Sequence, residues 1–151
     1  MVNLASDTAQ RELVISRILD APRELVWEAW INPEHLKNWW GPTGFTNTIH
    51  TMDVRPGGVW ELTMHGPDGK NYPNHSIFLE VVEMERIVFE HTAPHFMATI
   101  TFIADGDKTL LSWHMLFDRP EDLEVVVKHH KADQGLRQNV EKFQAYLAGL
   151  K

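Results

Sequence analysis

Three polar residues interrupt strongly alternating, strand-like stretches and are the first candidates for chemistry: Glu61, His91 and His114. A single positioned Glu or His with a shifted pKa is enough for general acid–base work in an enclosed site. The plainer reading of each is an outward or hydrogen-bonded strand position, because alternation routinely sends polar groups to solvent. The nine histidines raise the question of a metal. His91 and His95 are four apart, but Pro94 lies between them in a strand turn, so the helical geometry that makes this spacing bind zinc is missing. His129 and His130 are neighbours that diverge at a basic helix end. No metal site and no cofactor are expected. The lack of cysteine removes disulfides, thiolate zinc sites and a cysteine nucleophile together. Ser6, Ser16, Ser76 and Ser112 are the only serines, and none sits in a Gly-x-Ser-x-Gly elbow. Gly57-Gly58 closes a hairpin and does not cradle phosphate.

The elements that position these residues fit one domain spanning 1–151. A formal net charge of −7 speaks against a nucleic-acid backbone or an anionic membrane surface as partner. No apolar run approaches the ~18 residues needed to span a bilayer, so membrane insertion is not expected. The first ten residues have neither a basic nor an apolar leader pattern, and a cytoplasmic location is the expectation.

The strongest periodic signal is C-terminal. Leu136, Val140, Phe143, Leu147 and Leu150 recur at spacings of four and three, flanked by Tyr146, with Arg137, Gln138, Glu141, Lys142 and Gln144 opposite. This is an amphipathic helix over Asp133 to Gly149, with Asp133 able to cap it. Gly135, in its first turn, permits close approach of another backbone. Glu12 to Leu19 reads as a strand near a sheet edge, with Leu13 and Ile15 on one face. Two short helices follow: one opened by Pro22 with Leu25, Val26, Ala29 and Trp30, the other from Pro33 to about Trp39, ended by Gly41-Pro42.

Strands are expected over Phe45–Val54, Val59–His65, His75–Val82, Ile87–His91, Phe96–Ile103 and Thr109–Phe117, joined by hairpin turns into an antiparallel meander. A further helix opens at Asp118-Arg119-Pro120-Glu121 and closes on Lys128-His129-His130-Lys131. The fold class is α+β: about seven antiparallel strands curved around one long C-terminal helix, with two short helices after the first strand.

That order resembles the helix-grip fold of the START and birch-pollen-allergen (SRPBCC) superfamily. The stretches Asp20-Ala21-Pro22-Arg23-Glu24-Leu25-Val26-Trp27, Asn32-Pro33-Glu34-His35-Leu36, Trp39-Trp40-Gly41-Pro42, Arg55-Pro56-Gly57-Gly58 with Trp60, Gly66-Pro67-Asp68-Gly69 and Glu85-Arg86 are similar to the family of activator-of-heat-shock-protein-90-ATPase homologues. One departure is Gly135-Leu136, where that family often has Gly-Trp.

The resemblance implies a module that holds an apolar small molecule between the concave sheet and the C-terminal helix. Trp60, Leu62, Ala98, Ile100, Leu111 and Trp113 on the sheet, Leu136, Val140 and Phe143 on the helix, and Trp39 and Trp40 as a lid are the expected ligand-facing residues. Trp39 and Trp40 also suit a structural role, as staples between the short helices and the sheet. Two alternatives stay open. One is a cyclase-, aromatase- or dehydratase-type enzyme using one cavity acid or base. The other is a chaperone-partner module, implied by the family name alone.

Overall fold

The computed structural model describes residues 10–150, the side chain of His130 excepted. Seven strands form one antiparallel sheet: β1 (Glu12–Leu19), β2 (Thr46–Met52), β3 (Val59–His65), β4 (Asn71–Val82), β5 (Arg86–His91), β6 (Phe96–Asp105) and β7 (Lys108–Phe117). Their spatial order is β1-β7-β6-β5-β4-β3-β2. β2 to β7 are a meander, and β1 pairs with β7. The first strand is therefore an edge. Between β1 and β2, helices α1 (Arg23–Ile31) and α2 (Pro33–Leu36) carry the chain from one edge of the sheet to the other. After β7 come α3 (Pro120–His130) and α4 (Ala132–Leu150). Bulges between Ile49 and Thr51 and between Phe78 and Glu80 bend their strands.

Burial follows alternation closely. Trp60 and Leu62 are buried from β3, Ala98, Ile100 and Phe102 from β6, and Leu111, Trp113 and Phe117 from β7. On β1, Val14 and Ile18 are exposed while Leu13 and Ile15 pack on the core. From α4 the residues Leu136, Asn139, Val140, Phe143 and Leu147 are buried, whereas Leu150 is exposed. At the centre lies Trp30, wholly buried, meeting the edges or faces of Trp39, Trp40, Trp60, Phe102 and Trp113.

The structure departs from the sequence expectations at several ends. Pro22 is the N-cap of α1 rather than its first helical residue, and Trp27 joins Val26, Ala29 and Trp30 as buried, with Leu25 packed partly buried beside them. α2 stops at Leu36 and continues to Trp40 only as turns, with Trp39 and Trp40 both donating to the Leu36 carbonyl. Asp133 lies inside the first turn of α4 and does not cap it; Lys131, at φ 51°, makes the corner between the last two helices. A Cβ on Gly135 would meet the ring of Pro42 at 3.3 Å, so the close neighbour is a side chain and not backbone.

β4 begins four residues earlier than its periodicity suggests, taking in Pro73. On one side it pairs with β3 from Asn71 to Ile77, and on the other with β5 only from Ser76 to Val82. Asn71 to His75 therefore runs as a local edge, where a proline without an N–H is tolerated.

The Arg55-Pro56-Gly57-Gly58 turn needs both glycines for different reasons. Gly57 has φ 84° and open space around its missing Cβ. Gly58 has no positive φ, yet a Cβ there would lie 1.9 Å from the Asp53 carbonyl oxygen. Contact with backbone, not dihedral strain, restricts the second position. Gly58→Val should accordingly lower stability by at least ~3 kcal/mol, against about 1–2 kcal/mol for Gly57→Ala. Chemical denaturation of both variants tests this; equal, small losses would contradict the assignment.

Candidate functional site

A cavity of about 540 Å³ opens between the sheet and the N-terminal half of α4. Strands β3, β5 and β7 supply Trp60, Leu62, Phe89, Trp113 and Met115, each on the inward phase of its alternation. The local edge of β4 adds Tyr72, Pro73 and Asn74, and Ser76 follows where pairing with β5 begins. Ala132, Gly135, Leu136 and Asn139 form the helix wall, and Val126 reaches in from α3. Pro94 and Phe96 close the end beside the β5–β6 turn. The loop from Trp40 through Phe45 covers the remaining side.

This loop is tied to α4 by hydrogen bonds. Lys142, expected on the solvent side of the helix, turns its Nζ to the carbonyls of Pro42 and Phe45, both at 3.2 Å, and of Trp40 at 3.4 Å. Partial burial holds the Lys142 ammonium below its ordinary pKa. Gln138 Oε1 accepts from the Thr43 N–H at 3.2 Å, and Asn47 Nδ2 donates to the Trp40 carbonyl at 2.8 Å.

The two adjacent tryptophans divide the work. Trp39 is wholly buried, stacks on Phe143 at 4.0 Å between ring centroids, and donates Nε1–H to the Ala29 carbonyl at 3.1 Å. Trp40 faces the cavity, stacked on Trp113 at 5.4 Å and edge-on to Trp60 at 4.9 Å. Of the residues expected to face a ligand, Trp40, Trp60, Leu62, Trp113 and Leu136 line this space.

Trp39, Ala98, Ile100, Leu111, Val140 and Phe143 do not; they are buried in the packed core. The reason is that the C-terminal half of the α4 stripe is already covered, by Trp39 among others, and only the N-terminal half stands clear of the sheet.

Of the three polar candidates, only His91 lines the cavity. Glu61 is on the opposite face of β3, with its Oε1 3.6 Å from His75 Nε2. His114, beside the inward Trp113, pairs with Glu12 across the β1–β7 register. His91 is 8% exposed and stacks on Phe96 at 4.6 Å. Its Nδ1 donates to the Pro94 carbonyl at 2.8 Å, which leaves Nε2 of a neutral ring as an acceptor 2.8 Å from the terminal amide of Asn74, matched when that amide turns its N–H towards the ring. Both ring nitrogens are engaged.

Burial holds the imidazole below its ordinary value, opposed by the Pro94 carbonyl and reinforced by repulsion from His75 and His95. His95, on the rim, behaves oppositely: hydrogen bonds to Glu90 and Asp118, each 2.7 Å long, raise its pKa. Among the described residues no group of His, Asp and Glu is arranged to hold a metal.

Ser76 and Asn139 escaped the sequence reading. Ser76 shares the inward phase with Asn74 and Phe78, and Asn139 lies three residues beyond Leu136 on the same helix face. A polar residue inside an otherwise apolar stripe was the available signal for Asn139.

With this geometry in place, comparison with known proteins is direct. The family model described as "Activator of Hsp90 ATPase homolog 1-like protein" matches residues 20–148. The chain belongs to this family. Its fold is shared by a crystal structure of a Nitrosomonas europaea protein at 24% identity and TM-score 0.85, covering 95% of this chain and 97% of that one. A solution structure of an Arthrobacter aurescens protein is 22% identical with TM-score 0.88, over 95% and 89% of the two chains. An AHSA1-like protein from Aeromonas hydrophila is 19% identical with TM-score 0.74, over 92% and 96%. No curated protein matches the chain. The family's helix-grip architecture thus accounts for the sheet and the long helix.

The two histidines near the cavity set opposite pH dependences. A folded-state pKa below the unfolded value near 6.5 means that the unfolded chain takes up the His91 proton first. That contribution to stability is present above about 6.5 and is lost as pH falls from there through the lowered folded value. The raised His95 value gives stability that is full below that pH and lost as pH rises through the folded pKa. Melting curves between about pH 5 and 8 should rise more steeply with pH in His95→Gln than in the parent. They should flatten in His91→Gln. A His91→Gln profile parallel to the parent's would contradict this assignment.

Proposed function

We propose that this protein binds an apolar small molecule in the cavity between its sheet and the N-terminal half of α4. The observation that carries the reading is the wall itself: about 540 Å³ lined mainly by aromatic and aliphatic side chains, with no Asp, Glu, Lys or Arg among them. The volume falls within the roughly 300–1,000 Å³ usual for small-molecule sites, and the composition is the usual one. The aromatic rings offer the large apolar contact that drives association.

Catalysis is the second reading, because His91 is in the wall. With Nδ1 committed to Pro94 and Nε2 against Asn74, the ring has no free nitrogen to offer a ligand, so binding remains the preferred function. A reaction would require Asn74 to move aside first.

Filling the cavity tests the proposal. Leu136 is buried on the helix wall, and Leu136→Trp would place an indole in the empty volume. The variant should keep the parent's melting temperature to within a few degrees and lose at least tenfold in affinity for an environment-sensitive apolar dye such as Nile red. Ala98→Leu is the contrasting control: Ala98 is wholly buried outside the cavity wall, so enlargement should cost ~1–3 kcal/mol of stability by overpacking. Undiminished dye binding by the Leu136→Trp protein would reject the cavity as the binding site.

A further inference from the structure

Four polar side chains are buried among the described residues, and three of them line the cavity: Ser76, His91 and Asn139. The fourth, Thr109, is satisfied by the Ala21 carbonyl at 2.8 Å. Buried polar groups in folded proteins are nearly always paired, so each unpaired one in the cavity wall calls for a reason. Asn139 is 6% exposed and its Oδ1 has no hydrogen-bond partner. Trp60 and Trp113, also in the wall, have indole N–H groups without an acceptor. The site therefore combines an unmatched amide oxygen with two unmatched donors, and among the described residues no ionic side chain accompanies them.

These features narrow the ligand. A charged molecule would be desolvated in this wall without a counter-charge, at high cost. A pure hydrocarbon would fill the volume and leave the amide unpaired. An alcohol or phenol hydroxyl both donates and accepts. It can thus meet either end of the Asn139 amide, whose terminal torsion is broad and roughly two-fold. The rings of Trp40, Trp60, Phe89, Phe96 and Trp113 in the wall offer aromatic contact to a flat ring.

Building on the proposed binding function, we infer that the cavity takes an uncharged aromatic alcohol or phenol whose hydroxyl hydrogen-bonds to the Asn139 side chain. Asn139 is then the specificity-determining residue of the site, contributed by the covering helix.

Three matched probes test this by tryptophan fluorescence titration of the full chain at neutral pH: naphthalene, 2-naphthol and 2-naphthoate. The parent protein should bind 2-naphthol at least tenfold more tightly than naphthalene, and 2-naphthoate most weakly. In Asn139→Leu the preference for 2-naphthol should vanish, while naphthalene binds at least as well as before. Replacing an unpaired buried amide by an apolar group of similar size should also leave the melting temperature unchanged or raised. Asn139→Ala serves the same purpose should the leucine variant fail to fold.

Equal affinity of the parent for naphthalene and 2-naphthol would overturn the inference but leave the binding function standing. So would a preference that survives in both Asn139 variants. Tightest binding of 2-naphthoate would overturn the requirement for a neutral ligand. Binding of none of the three would remove the cavity function itself.

Discussion

Trp39 lies flat on Phe143, with ring centroids 4.0 Å apart, and this contact fixes where the long helix meets the rest of the molecule. Both rings are wholly buried, and the Trp39 indole is held in place by its bond to the Ala29 carbonyl. Val140 and Leu147 extend the same buried patch along α4. The helix is thereby seated through its C-terminal half. At its other end the Pro42 ring meets Gly135, where a Cβ would be at 3.3 Å; farther along, beside Phe143, Lys142 grips the carbonyls of the same loop. An apolar stripe normally finds a covering along its whole length. Here the stretch from Ala132 to Asn139 looks onto a cavity instead.

The consequence for chemistry is a space whose polarity is set by dipoles and not by ions. The protein's formal charge of −7 is carried elsewhere, and ion pairs such as Lys128–Glu124 and Arg119–Asp122 lie on α3 or beside its start. Nearest to the cavity, His95 sits between Glu90 and Asp118, next to Pro94 and Phe96 of the wall. Inside, burial holds the His91 pKa below its ordinary value. An unpaired charge in such a site is costly, so the wall's composition disfavours a charged occupant.

Much of this was legible in the residues. Period-two alternation located all seven strands, and the four–three spacing of Leu136, Val140, Phe143 and Leu147 located α4. Inward phase alone placed Trp60, Leu62 and Trp113 correctly in the wall. Periodicity could not say which half of the helix stripe would be covered. That depends on how the bulges at Ile49/Thr51 and Phe78/Glu80 bend the strands, and on which of two adjacent indoles turns inward. Adjacent residues in a helical turn point about 100° apart, so the Trp39-Trp40 pair had to split. The sequence does not say which one stacks on Phe143. Ala98 shows the same limit: a small residue on an inward strand face suggested empty space, yet it is wholly buried outside the cavity wall.

The most direct measurement is an isotope-filtered NMR experiment on carbon-13-labelled protein with an unlabelled apolar probe such as 2-naphthol. The account predicts intermolecular NOEs from the probe to the methyl groups of Leu62, Met64, Met115 and Leu136, all in the cavity wall. It predicts none to Leu111, Val140 or Leu147 in the packed core, nor to the exposed Val14, Ile18 and Ile103 of the outer sheet face. NOEs confined to that outer face, with the Leu136 and Met115 methyls silent, would contradict it and place recognition on the surface of the sheet.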